Sequence, residues 1–486
     1  VIRVDEAGFL GARQTERLLD VVRELGKSGV QVKLHLLGDA KQMPGIQAGN
    51  LLGPLQRLGV RGEIDCAHLT DILRQRDPGL LEVARGLNRM DRPLAENAQR
   101  ALRTLERRQE VVEIADQAQL RSAVVRHYLE ESKKPSRLPR RVESGEPQRV
   151  LLLTTTNAAR RELNSEIRKE LVSAGDIAEG KPYVVLVPVR QGVTVEGYRV
   201  GDTVLFCGAT RPDGHVERWG TRLNTEATVT GINRERNIVQ VTYSFHTKKH
   251  DGRELSRTVT KEFSAADMAG KTALYREEER HFSAGDRIVL LKNDSRLDLQ
   301  NGTLGTIIEI DRAGGARLDL DGREVRIDLK RYRHLDHAYA LTIYKSQGAT
   351  VEHSILYAPC RSEDAKTRLA APEEQYGRTT YNALNVAVTR AQYGTRIFTN
   401  SMEGLARSVE TVEEKITTLQ GRFMGNERRL GEKIGKPEPS VKGPGAGQGA
   451  PLPAPPPAQE IAAVQKVAGR ELELTLPRGF GSKLER

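Results

Sequence analysis

The chain has 486 residues, enough for two to four domains with cores of their own, and its 76 Lys and Arg against 65 Asp and Glu leave a formal charge of +11. That excess suits a polyanionic partner. Three cysteines (Cys66, Cys207, Cys360) without metal-ligand spacing exclude a disulfide framework and point to a reducing, cytoplasmic setting, and no stretch approaches the roughly 20 apolar residues that cross a bilayer.

Residues 1–8, VIRVDEAG, read as the end of a buried parallel strand, with Asp5 and Glu6 at the carboxyl edge where open α/β sheets place ligands. One carboxylate of such a pair can hold Mg2+ while the other polarises a water for attack on a phosphate. A plain strand end meeting a polar turn has the same residues. QTERLLDVVRELGKSG is patterned as an amphipathic helix ending by Gly29, and a second buried strand is expected from Val32 to Leu37, which makes a parallel βαβ unit. Gly38, Asp39 and Gln42 follow its edge, where a Gln can orient a water or report on a terminal phosphate, or simply form a βα turn. Arg74, in LTDILRQ, reads either as an arginine finger or as a surface charge. The spacing from Asp77 to about Lys134 is helical throughout, including ALRTLERRQEVVEIADQ, and SRLPRRVESGEPQ breaks it.

Residues 149–153 predict another buried strand. Thr154 to Asn157 then cap the helix NAARRELNSEIRKEL, where Thr156 and Asn157 could grip a phosphate as well as cap. From about 180 to 330 the period falls to two, as in two small barrels, and GDTVLF is weakly repeated as GDRIVLL. Asn301-Gly302 and Asp321-Gly322 fit hairpin turns. The α/β pattern resumes in HAYALTIYKSQGATVE, where Thr342, Lys345, Ser346, Gln347 and Gly348 could contact a phosphate backbone. Arg390, closing the helix of YNALNVAVTR, is placed to stabilise charge on a transferring phosphoryl group.

Taken in order, these segments resemble the superfamily 1 helicases of the RecD-like branch, and most closely the helicase part of conjugative relaxase-helicases of the TrwC/TraI type (the MobF family). The resemblance implies that VDEAG is the Walker B segment, with Asp5 the magnesium residue and Glu6 the base for the attacking water. It makes Gln42, in GDAKQMPGIQAG, a γ-phosphate sensor, and Arg74 and Arg390 arginines that reach the triphosphate. AYALTIYKSQGATVE matches the motif that touches single-stranded DNA through Thr342, Gln347 and Gly348, with Tyr344 where many relatives have His. ATP and Mg2+ are the implied cofactors, single-stranded DNA the implied partner, and 5′ to 3′ unwinding in plasmid transfer the implied activity.

The expected architecture is α/β, with RecA-like P-loop NTPase motor domains and inserted SH3-like β-barrel segments. Its divisions are an incomplete first motor domain (1–80), a helical region and connector (81–145), the start of the second motor domain (146–180), a β-rich insertion (181–330) and the rest of the second motor (331–400). A helical segment (401–435), a Pro/Gly/Ala-rich linker (436–459) and a short tail (460–486) complete it, the last part a docking region for other conjugation proteins. No GxxxxGK[ST] loop occurs in the sequence. The chain therefore reads as an amino-terminally truncated helicase fragment, inactive alone; the alternative is a short single-stranded-DNA-binding or conjugation scaffold without a motor.

Overall fold

The computed structural model describes residues 1–43, 45, 49–69, 71–137, 149–189, 191–207, 225–248, 254–269, 271–320, 322–346, 349–360 and 377–413, without the side chains of 245–248 and 254–256. Gln347, Gly348, the break at 138–148 and everything read after 413 lie outside the described residues. Two compact units emerge, one of residues 1–40 and 44–68, the other of 41–43 and 69–413.

In the first unit, β1 (Ile2–Val4) pairs in parallel with β2 (Leu34–Leu36), joined through α1 (Ala12–Lys27) and followed by α2 (Leu52–Val60). Ile2, Val4, Ala7, Leu10 and Leu52 form its core, against which Leu18, Val22 and Leu25 lay the apolar stripe of α1. The second strand is shorter than the expected 32–37 and half-buried, with His35 exposed. Among the described residues each strand of this two-stranded sheet is paired along one edge only.

The second unit runs α3 (Pro78–Leu87), α4 (Leu94–Arg107), β3 (Val111–Glu113), α5 (Gln117–Ser132), β4 (Val150–Thr154) and α6 (Asn157–Ser173). Ten antiparallel strands follow: β5 (Lys181–Val189), β6 (Thr203–Phe206), β7 (Glu226–Asn233), β8 (Ile238–Lys248), β9 (Glu254–Ser264), β10 (Thr272–Phe282), β11 (Arg287–Leu290), β12 (Leu304–Ile310), β13 (Gly315–Leu320) and β14 (Arg323–Asp328), with the short α7 (Ala265–Met268) between β9 and β10. The chain closes with β15 (Leu335–His337), β16 (Ala340–Thr342), β17 (Val351–Tyr357), α8 (Tyr381–Arg390), β18 (Ala391–Thr399) and α9 (Met402–Val409).

Five of these strands make a parallel sheet in the order β16-β4-β17-β18-β3. It is apolar on both faces, as a sheet covered twice must be. Along β4, Leu151 and Leu153 face a core shared with α3, α4, α8 and α9, while Val150 and Leu152 face α5 and α6. This three-layer α/β arrangement is the fold class expected from the sequence. The described helices of the stretch read as a helical region and connector (81–145) thus lie on both faces of this sheet. The wholly helical reading of 77–134 fails at Val111–Glu113, which forms the edge strand β3. Gln109 takes a left-handed φ of 58°, and Val111 and Val112 pair with Ile397 and Phe398, a partner too distant in sequence for local patterning to reveal.

The antiparallel strands form a six-stranded sheet (β5-β10-β6-β7-β8-β9) and a five-stranded one (β14-β13-β12-β11-β15), each with its own core. The weak GD repeat is one turn built twice. Gly201 and Gly285 have φ of 95° and 90°, a region that suits glycine. The aspartate after each is buried and accepts from the amide three residues before it, Arg199 at 2.8 Å for Asp202 and Ser283 at 2.7 Å for Asp286. Each then receives an arginine, Arg276 on Asp202 and Arg168 on Asp286, so neither buried carboxylate lacks a charge partner.

Glu226 of β7 joins the two antiparallel sheets through Lys292 at 2.7 Å and His334 at 2.9 Å. Burial opposes its ionisation, but hydrogen bonds from His334 and Lys292 prevail and hold the carboxyl well below its ordinary range. A depressed carboxyl stabilises the fold above its unfolded value of 4.5, and that contribution is lost as pH falls toward the folded one. Stability of the wild type should therefore fall more steeply than that of Glu226→Gln as urea midpoints are followed below about pH 4.5. In the parallel sheet, Leu152→Ala should cost about 2–5 kcal/mol by urea denaturation, since Leu152 is wholly buried between α5 and α6.

Candidate functional site

The first unit gathers Asp5, Glu6, Gly38 and Asp39 at the carboxyl ends of its two parallel strands. The Leu37 amide donates to the Val4 carbonyl at 2.8 Å and the Ala7 amide to the Leu37 carbonyl at 2.7 Å, which locks the two edge turns together. Glu6 sits in the left-handed region (φ 51°), and its amide donates to Asp5 Oδ1 at 2.9 Å. A non-glycine residue there is strained by about 1–3 kcal/mol, a strain found where a side chain must be aimed. Asp5 is exposed. Among the described residues no three His, Cys, Asp or Glu side chains converge as a metal cage. A nucleotide's Mg2+ does not need one, because one or two carboxylates with phosphate oxygens and water complete its shell, and Asp5 fits that demand.

In the second unit, Gln42, Arg74 and Arg390 come together although far apart in sequence. Arg390 ends α8, only 2% exposed, and its Nη2 donates to Gln42 Oε1 at 3.0 Å. Arg74 is not on a helix; its Nη1 donates to the Thr389 carbonyl at 2.7 Å, beside Gln75, whose Nε2 donates to the Thr389 and Ala391 carbonyls. Two guanidinium groups and a carboxamide thus share the end of one helix. Such a set suits a group that gains negative charge.

The DNA candidates gather at the carboxyl edge of the parallel sheet, where Thr342, Thr154 and Tyr357 stand side by side in register. Thr156 caps α6, its hydroxyl accepting from the Ala159 amide at 3.2 Å, and exposed Asn157 accepts from Arg160. Capping is therefore met, and the first-turn amides keep the orientation that favours an anion. Ser346 is buried, and its hydroxyl donates to the Ile343 carbonyl at 2.7 Å, so its part is to hold the turn that presents half-buried Lys345. Tyr344 donates to Glu413 Oε2 at 3.2 Å; burial, then the neighbouring carboxylate, push its phenol well above the ordinary range.

Sequence reasoning missed Asn382, Asn385 and Glu413. Asn382 Nδ2 donates to the Lys41 and Gln42 carbonyls at 3.1 and 2.9 Å, Asn385 Nδ2 reaches the Lys41 carbonyl at 3.4 Å, and Lys41 Nζ donates to the Asn88 carbonyl. Their signal was present in YNALNVAVTR. Two asparagines three apart share one face of a helix that is otherwise apolar there.

Gly38 has room for no side chain. A Cβ there would lie 2.8 Å from Leu52 Cδ2 and 3.1 Å from the Ala7 amide nitrogen. Gly38→Ala should cost about 1–3 kcal/mol and speed amide exchange at Ala7, which hydrogen exchange read peptide by peptide will check.

Residues 1–117 match the family model of an AAA domain. The chain is 32% identical over 195 residues to the conjugal transfer protein TraA of Rhizobium radiobacter, covering 38% of this chain and 17% of that protein. It is 30% identical over 227 residues to the TraA of Agrobacterium fabrum, covering 44% and 20%. The ATP-dependent RecD2 DNA helicase of Deinococcus radiodurans is 40% identical over 67 residues, 13% of this chain and 9% of that one. Among solved structures, a Pif1 helicase at forked DNA aligns over 89% of this chain and 75% of its own at 12% identity, with a TM-score of 0.35, a likeness too weak to argue from. The matched regions span a fifth or less of each of these relatives. The chain is thus similar to an AAA domain at its amino end and, over about two fifths of its length, to conjugal transfer proteins.

Proposed function

We propose that this chain is part of an ATP-driven helicase that moves along single-stranded DNA during conjugative transfer. The observation that carries the reading is the hydrogen bond from Arg390 to Gln42, with Arg74 on the adjacent carbonyl. Residues that the motif order assigns to one phosphate meet at one helix end, although 348 positions separate Gln42 from Arg390. The likeness to the TraA proteins and to RecD2 supports the same reading.

Bound ATP with Mg2+ supplies the phosphoryl group that is transferred to water. Asp5 would hold the ion. Glu6, aimed by its left-handed backbone, would take the proton of the attacking water. Gln42 reports the terminal phosphate, and Arg74 and Arg390 offset the charge that develops on it. At the carboxyl edge of the parallel sheet, the α6 amides, Thr342 and Lys345 hold successive backbone phosphates of the strand. The 5′ to 3′ direction and service beside a relaxase rest on the resemblance of the ordered motifs to conjugative relaxase-helicases.

Single-strand binding tests the DNA half. A fluorescent dT oligonucleotide should bind this chain with an affinity that falls steeply as salt rises, and Lys345→Ala should reduce the salt slope by about one phosphate contact. For the ATP half, the chain is joined at its amino end to a strand, GxxxxGK[ST] loop and helix. Oligonucleotide-stimulated hydrolysis is expected, and Glu6→Gln should lower turnover about 10²- to 10⁴-fold while nucleotide still binds. DNA binding with no stimulated hydrolysis in that joined chain would instead favour a scaffold without a motor.

A further inference from the structure

The two candidate regions of the second unit are joined by a continuous set of hydrogen bonds whose middle members lie outside the recognised motifs. Its centre is Glu413, on the strap that follows α9. One carboxylate oxygen accepts from Tyr344, in the turn that presents Lys345, at 3.2 Å. The other accepts from Thr380, the N-cap of α8, at 3.2 Å. The Glu413 amide donates to Asn382 Oδ1 at 2.8 Å, and Asn382 Nδ2 donates to the Gln42 carbonyl at 2.9 Å. A second tie, from the Tyr381 amide to the Thr411 carbonyl at 2.9 Å, fastens the strap to the same helix turn.

From this geometry we propose that Glu413 is a positioning residue that couples occupation of the single-strand site to the setting of Gln42. The inference rests on the proposed function. A strand held at Lys345 displaces or steadies the turn carrying Tyr344. Tyr344 and Thr380 share the two oxygens of one carboxylate, so a shift at the turn rotates that carboxylate against the α8 N-cap. The Glu413 amide fixes the rotamer of Asn382, and Asn382 holds the backbone of residues 41 and 42 from which the Gln42 side chain reaches Arg390. Tyr344 matters here because its phenol hydroxyl is the group that reaches the Glu413 carboxylate. The linking side chains Thr380, Asn382 and Glu413 lie outside the shared motifs, between Tyr344 and Gln42 within them.

The experiment follows hydrogen–deuterium exchange of the peptide containing Lys41–Met43 in the full chain, with and without a dT oligonucleotide. Oligonucleotide should change exchange there at least about fivefold in the wild type. Glu413→Ala should abolish that response while the oligonucleotide's dissociation constant moves less than about twofold, and Glu413→Gln, which can still bond both hydroxyls, should restore much of it. Should Glu413→Ala fail to fold, judged by its thermal midpoint, Tyr344→Phe gives the same comparison by removing one hydroxyl. A response that survives Glu413→Ala or Tyr344→Phe, or an unresponsive wild type that nonetheless binds DNA, overturns the coupling alone. A wild type that binds no oligonucleotide overturns the proposed function and the coupling with it.

Discussion

The second unit depends on the need to satisfy polar groups on a helix that has almost no surface. Nine of the ten residues of α8 are buried, among them Asn382, Asn385 and Arg390. A buried amide or guanidinium without partners costs several kcal/mol, so everything around this helix must arrive with the right donors and acceptors. Residues 41–42 supply carbonyls to both asparagines, Gln42 supplies its side-chain oxygen to Arg390, and Thr411 to Glu413 close over the N-cap. The tight α8 packing and the candidate chemistry are one arrangement seen from two sides.

The helix also sets the distance between tasks. It begins at the carboxyl edge of the parallel sheet, beside the turn of Thr342 to Ser346, and ends at Arg390, directly before the amino end of β18. Ten residues of α-helix span about 15 Å, and a rigid rod of that length relates the proposed backbone-phosphate site to the proposed charge-stabilising one without bringing them into contact. Polar residues on one stripe of the rod then do the communicating, and its apolar remainder anchors it against α3, α4 and β17.

Much of this was legible in the sequence because the relevant signals are local. The strand followed by Asp5 and Glu6, the Thr156 cap, the period-two stretch and the glycine-aspartate repeat all depend on a few adjacent residues. What escaped is what depends on distant partners. Val111–Glu113 is a strand because Ile397–Thr399 lies beside it, and nothing within a helical turn of Val111 says so. Glu413 falls within the stretch read only as a helical segment (401–435), and only the fold brings it under Tyr344 and Thr380. Ser346 shows the converse: its type and place in the motif suggested a phosphate contact, while burial commits its hydroxyl to the turn itself.

The passage from the five-stranded antiparallel sheet into the parallel one takes two residues. β15 ends at His337 and β16 starts at Ala340. Both residues between are buried, the Ala338 amide donating to the Arg287 carbonyl at 2.9 Å and the Tyr339 hydroxyl to Asp286 at 2.6 Å. Such a junction has no slack with which to act as a hinge. The antiparallel sheet is therefore tied to the strand that ends at Thr342 as by a taut cord, and a displacement of the one is passed directly to the other.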